Sequence, residues 1–180
     1  KELHKGMFRI KKIYTGETWN PIITGPLSLP GIPVKEGDYI HAINGAALSE
    51  NVNPYQLLEQ TANRTIRLKV STSGKEKDAK ILIVTPIKNE ARLRNVEWIE
   101  DNKRRVDQLS NGQLAYVYVP NTGEAGFELF NRYYFSQQDK KGVIIDERNN
   151  GGGSAADYMI DIMNREPMGY FNSKANDHQP

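Results

Sequence analysis

VIIDERNNGGGSAADYM (Val143–Met159) is an apolar, strand-like run that breaks into two Asn and three Gly and then takes up helical spacing. Phosphate cradles, oxyanion holes and plain tight turns are all built at such junctions. A Walker-type phosphate loop needs Lys-Ser or Lys-Thr after its second Gly, and here Gly153 is followed by Ser154-Ala155. A dinucleotide loop needs Gly-x-Gly-x-x-Gly, and that spacing fails. Backbone N–H groups at a helix start suit a developing negative charge, so an oxyanion hole stays open beside the tight turn. Ser154 is no elbow nucleophile, because Ala156 occupies the place of the last Gly in Gly-x-Ser-x-Gly. A Ser at a helix start is more often an N-cap.

Working outward, QLAYVYVP (113–120) is a Tyr/Val-rich strand, and TGEAGFELFNRYYFSQQDKK (122–141) is a helix with Phe127, Phe130 and Tyr134 on one side. With the strand at 142–146 and the helix after Ser154, the order is β-α-β-α, the pattern of a mostly parallel sheet. Leu93, Val96, Ile99, Val106 and Leu109 recur at helical spacing, which predicts a connecting helix at roughly 90–110 that Asn111-Gly112 ends.

The first half is β-rich. GMFRIKKIYTG reads as a strand ending at Gly16, Ile22–Ile23 as a short strand, and Tyr39 to Ile43 as a strand closed by the hairpin pair Asn44-Gly45. NPYQLLEQTANR reads as a helix, with Asn53 as cap and Pro54 in the first turn. Ile66, Leu68 and Val70 are expected to pair with Ile81, Ile83 and Thr85 across a charged turn. The predicted fold is α+β: a β-barrel with a capping helix at 1–86, a connecting helix at 87–110, and a partial α/β unit at 111–180.

Composition narrows the function classes. The 180 residues are 38% hydrophobic and 26% charged, with net charge +2 and no Cys. That balance does not argue for nucleic acid, and no basic stripe is interleaved with aromatics. Thiol catalysis, disulfides and Cys-based zinc sites are excluded. No apolar run reaches the roughly 18 residues of a membrane span. His4, His41 and His178 show no ligand spacing, and nothing suggests a metal or organic cofactor. The acidic pairs Asp157/Asp161 and Glu124/Glu128 fit a solvated helix face better than acid–base work. The chain starts with Lys and ends in NSKANDHQP, which reads as mid-loop, so a chain cut from something longer is expected.

Two sets of stretches carry family resemblances. EGDYIHAINGAALSE (36–50) resembles the Gly-Asp-x-Ile-x-x-Ile-Asn-Gly stretch of PDZ domains, HKGMFRI their carboxylate-binding loop and groove strand, and NPYQLLEQ their groove-lining helix. The resemblance implies an extended peptide added to a sheet edge. Gly6, Met7 and Phe8 would hold its carboxylate, and Tyr55 and Leu58 would shape the apolar pocket. YVYVP, KGVIIDERNNGGG and REPMGYF are similar to the tricorn-type branch of the carboxy-terminal processing serine proteases. This implies a serine peptidase core with Gly152 and Gly153 at the oxyanion hole, the Gly153 N–H being the donor. The family's nucleophilic Ser and its His fall outside these residues, so the chain alone is expected to be inactive. Phe171 stands where some members carry an acid, which implies a pocket for uncharged side chains. The implied partners are peptide or unfolded-protein substrates. The resemblance leaves the parent free to be a homo-oligomer, and leaves cytoplasmic and exported or periplasmic homes open. The alternative is a peptide-binding PDZ module whose protease-like half is only structural.

Overall fold

The computed structural model describes residues 2–166, 171–173 and 176–179, with side chains through 166. The chain divides into two compact units, Lys1–Glu100 and Asp101–Pro180.

In the first unit, β1 (Glu2–His4), β2 (Met7–Arg9), β3 (Tyr39–Ile43), β5 (Ile66–Ser71) and β6 (Lys80–Val84) form one antiparallel sheet in the order β1-β2-β3-β5-β6. The short strand β4 (Ala46–Ala47) folds back on β3 across Asn44-Gly45. Both turn residues have positive φ, 50° and 86°, as a type I′ hairpin requires. The core of this unit is Ile10, Val34, Ile43, Ile66, Leu68, Val70 and Val84, with Leu57 and Leu58 packed against it.

Four local expectations are corrected. The strand from Met7 stops at Arg9 rather than Gly16. Beyond it, Ile10 bonds to the Gly37–Asp38 backbone and the Glu36 carboxylate takes the Ile13 N–H at 2.9 Å, so the chain leaves the ladder. Residues Pro21–Ile23 form a 3-10 turn instead of a strand. Pro21 presets its φ, and Asn20 Oδ1 accepts the Ile22 N–H at 3.1 Å. The capping helix after Asn53 is reduced to one 3-10 turn, Gln56–Leu58. Asn53 does accept the Tyr55 N–H, at 3.1 Å, but Gln60 turns left-handed at φ 58° before helix formation can repay its nucleation cost.

The fourth correction is one of register. Ile66 pairs with Val84, Leu68 with Leu82 and Val70 with Lys80. Leu82 and Val84 therefore face inward, while Ile81 and Ile83 are 64% and 61% exposed. The run Ile81-Leu82-Ile83-Val84 is apolar at every position, so alternation could not choose a face, and a one-residue slip exchanges the two sets.

Helix α1 (Ala91–Leu109) contains the boundary between the units. In the second unit, β7 (Leu114–Tyr118) runs parallel to β8 (Gly142–Asp146), in register from Leu114–Gly142 to Tyr118–Asp146. Helix α2 (Glu124–Phe135) is the crossover, and α3 (Ala156–Met163) follows the glycine turn. Val117, Val119 and Phe130 are its most deeply buried large side chains. The outer edge of β7 is covered by a side chain. Buried Gln137 donates to the Tyr116 carbonyl at 3.0 Å and accepts the Tyr116 N–H at 3.3 Å, completing that residue's ladder bonds as a neighbouring strand would. A short antiparallel pair, β9 (Phe171–Ser173) with β10 (Asn176–Gln179), ends the described backbone.

Candidate functional site

The glycine turn is stitched onto the loop after β7. The Gly151 N–H donates to the Pro120 carbonyl at 2.9 Å, the Thr122 N–H to the Gly152 carbonyl at 2.9 Å, and the Ala155 N–H to the Thr122 carbonyl at 2.6 Å. The Asn150 side chain works in both directions. Its Oδ1 accepts the Gly152 N–H at 2.6 Å, and its Nδ2 donates to the Val119 carbonyl at 3.2 Å. These bonds use the N–H groups of Gly151, Gly152 and Ala155. Among the described residues, the Gly153 N–H has no hydrogen-bond acceptor.

The three glycines have different reasons to be glycine. Gly153 has φ 138°, and a Cβ there would lie 2.4 Å from the Thr122 carbonyl carbon and oxygen and 2.7 Å from the Gly123 nitrogen. Gly152 has φ 83° but open space where a Cβ would go. Gly151 has neither a positive φ nor a close neighbour, its nearest being the Pro120 carbonyl oxygen at 4.0 Å. Asn149 turns left-handed at φ 62°, a conformation Asn tolerates better than most residues.

The turn is anchored at the end of β8 by Asp146, which is only 7% exposed. Tyr116 Oη donates to Asp146 Oδ2 at 2.6 Å. Arg148 reaches back with Nη2 to Oδ2 at 2.5 Å, Nε to Oδ1 at 2.9 Å and its backbone N–H to Oδ1 at 3.0 Å. These bonds, those from the Arg148 side chain foremost, hold the Asp146 carboxyl down at about 2. Burial pushes the Tyr116 hydroxyl well above its ordinary value, and hydrogen bonding to Asp146 adds to that. The cluster borders a cleft of about 460 Å³, also lined by Asn102, Arg105, Leu109 and Ile144. Sequence reasoning passed over this group, although Asp-Glu-Arg at a strand end and the alternate Tyr of YVY were its visible signals.

A second cavity, of about 410 Å³, opens beside the turn between Thr122, Glu124, Phe127, Ser154, Ala155 and Tyr158. The Phe127 and Tyr158 rings meet edge to face, with centroids 6.4 Å apart. Ser154 lines this cavity and does not cap α3, whose N-cap is Ala155.

In the first unit, Lys5 and Gly6 form the tight β1–β2 turn, both with positive φ, 51° and 74°. Met7 and Phe8 are half-buried on β2, where Phe8 lies between Leu3 and Ile40. So β2 has a strand on each side, and the free edges of this sheet among the described residues are those of β1, β6 and the short β4. Tyr55 is 63% exposed, whereas Leu58 packs against the core. Phe171 begins β9, and its side chain lies outside the described residues.

His4 Nδ1 pairs with Tyr39 Oη at 2.9 Å, and His41 Nε2 with Ser71 Oγ at 2.7 Å; the side chain of His178 lies outside the described residues. Asp161 forms an exposed ion pair with Arg165, and Asp157, Glu124 and Glu128 are exposed. Among the described residues, no group of His, Asp and Glu is placed to hold a metal ion. No described helix is long and apolar enough to cross a membrane.

Residues 2–89 match the family model of the tricorn protease PDZ domain. The "Crystal structure of the tricorn protease" superposes on 98% of the chain with a TM-score of 0.84 at 25% identity, and 17% of that protein is covered. Residues 2–89 are of the tricorn PDZ type. The tricorn likeness extends through both units. "Tricorn protease homolog 1" of Streptomyces coelicolor is 34% identical over 127 residues, 71% of this chain and 12% of the homologue. "Tricorn protease" of Thermoplasma acidophilum is 28% identical over 165 residues, 92% of this chain and 15% of that protein. The chain thus spans about one eighth to one sixth of the length of these tricorn relatives. It comprises a tricorn-type PDZ domain followed by a small parallel-sheet unit that superposes on tricorn protease.

Proposed function

We propose that this chain supplies the peptide-binding domain and the oxyanion-stabilising turn of a serine endopeptidase. The observation that carries the reading is Gly153. Its N–H has no acceptor among the described residues, its φ of 138° excludes a side chain, and a bridge to Thr122 fixes its backbone. A rigid, unclaimed N–H beside an open cavity is what stabilises the oxygen of a tetrahedral intermediate. Gly153 is the donor in this reading. Gly152, whose N–H is held by Asn150, shapes the turn and fixes Thr122 through its carbonyl. The attacking Ser and its His base come from elsewhere in the full-length protein. The cavity between Phe127 and Tyr158 then takes a side chain flanking the scissile bond.

Fluorophosphonate labelling of the full-length protein tests this. Covalent labelling of one Ser, suppressed by a peptide aldehyde, is the expected result. No labelling of the folded, assembled protein would overturn the reading and favour a peptide-binding module with an inert core.

In the same reading, the PDZ-like unit binds the extended end of a peptide at Gly6, Met7 and Phe8, with Tyr55 and Leu58 at the side-chain pocket. Because β1 already pairs with β2, the peptide must take the place of β1. The strand is short, three residues, and Leu3 is half-exposed; the Glu2–Arg9 ion pair helps to hold it. Glu2→Lys removes that pair and is expected to strengthen binding of an apolar peptide with a free carboxylate by up to about fivefold, because less of the protein is then closed. Fluorescence anisotropy reads the effect; weaker binding in the variant, or none in either protein, would reject β1 displacement.

A further inference from the structure

We infer that Asn150 is a positioning residue for the Gly153 donor. This rests on the oxyanion reading above and adds a residue to it. A chain entering a helix through three glycines has several donors and great freedom in which of them point outward. Here that freedom is removed peptide by peptide. The Gly151 N–H is taken by the Pro120 carbonyl and the Ala155 N–H by the Thr122 carbonyl. The Gly152 N–H has no backbone partner among the described residues; the Asn150 side chain is its acceptor, at 2.6 Å. Holding that N–H inward orients the Asn150-to-Gly152 backbone, from which the Gly152 carbonyl meets the Thr122 N–H at 2.9 Å. The next peptide, whose N–H belongs to Gly153, is thereby set with its donor unclaimed.

The other half of the amide fixes where the turn sits. Asn150 Nδ2 donates to the carbonyl of Val119, a fully buried residue at the end of the β7 run. One side chain thus ties a mobile-prone loop to a rigid strand and selects which N–H remains free. Neither half needs to touch substrate. Asn150 acts through Gly152 and Gly153, so its removal should loosen the donor's aim more than it weakens substrate binding. A misplacement of about 1 Å can cost on the order of a hundredfold in rate.

Three variants of the full-length protein separate positioning from scaffolding. Asn150→Ala removes both bonds. Its kcat on a peptide substrate, and its rate of fluorophosphonate labelling, are expected to fall by about 10- to 100-fold, with KM within about twofold. Asn150→Asp keeps an oxygen acceptor for the Gly152 N–H but gives up the bond to the Val119 carbonyl, and is expected to recover part of the lost kcat. Asn150→Leu keeps bulk without polarity and is expected to resemble Asn150→Ala. Hydrogen exchange is the second readout: the Gly152 amide should exchange faster in the Ala and Leu variants than in wild type and the Asp variant.

The inference is overturned if Asn150→Ala keeps kcat within about threefold. It is also overturned if Asn150→Asp loses as much kcat and thermal stability as Asn150→Ala, which is the behaviour of a merely structural residue. A wild-type protein that is not labelled at all removes the oxyanion reading, and this inference with it. A labelled wild type whose rate is indifferent to residue 150 removes this inference alone.

Discussion

Substituting Ala at each of the three glycines in turn is expected to give three different proteins. Gly151→Ala should be labelled by a fluorophosphonate at close to the wild-type rate, because its Cβ meets nothing nearer than 4.0 Å and its φ is not positive. Gly152→Ala enters open space at φ 83°, so it carries left-handed strain of about 1–2 kcal/mol and a modest loss of rate. Gly153→Ala places a methyl 2.4 Å from the Thr122 carbonyl atoms, and those are backbone that no rotamer change can move. The Thr122 bridge must open, and the Gly153 donor goes with it. Losing one such donor typically costs about 10²- to 10³-fold. Labelling kinetics on full-length variants, with circular dichroism to confirm folding, reads the series. Equal effects at all three positions would show that the turn does not have the geometry described here.

Asp146→Ala is expected to be the most damaging change among the polar residues of the second unit. It leaves the Tyr116 hydroxyl without its acceptor, at a cost of about 1–3 kcal/mol, and releases Arg148 from the start of the turn. Protection of the β7–β8 amides from hydrogen exchange should fall accordingly. The same carboxylate makes the unit acid-sensitive. Its folded pKa, about 2, lies below the roughly 3.9 of an unfolded Asp. Its contribution is therefore complete above about pH 4–5 and is lost as the pH falls through that interval towards 2. Asp146→Asn should flatten that part of the stability profile. A variant with wild-type stability and an unchanged acid limb would remove Asp146 from the account of the turn.

Local signals along the chain set the β-rich first half, the β-α-β-α second half and the place of the glycine turn. Each rests on a local cause: apolar spacing over long segments, hairpin chemistry at Asn44-Gly45, and glycine at a strand-to-helix junction. Where local signals were silent or competed, tertiary structure decided. Nothing in Ile81-Leu82-Ile83-Val84 says which alternate pair goes inside; pairing with β5 chose Leu82 and Val84. A capped, Pro-started helix after Asn53 is locally plausible, yet it shrinks to one turn, and Leu57 and Leu58 still pack against the core. Three Gly in a row do not reveal which is indispensable. That distinction comes from Thr122, whose backbone approaches Gly153 alone from thirty-one positions earlier in the chain (153 − 122). The roles of Asp146 and Asn150 were hidden for the same reason. Their partners, Tyr116 and Val119, lie on the neighbouring parallel strand run, and only the β7–β8 crossover brings them within bonding distance.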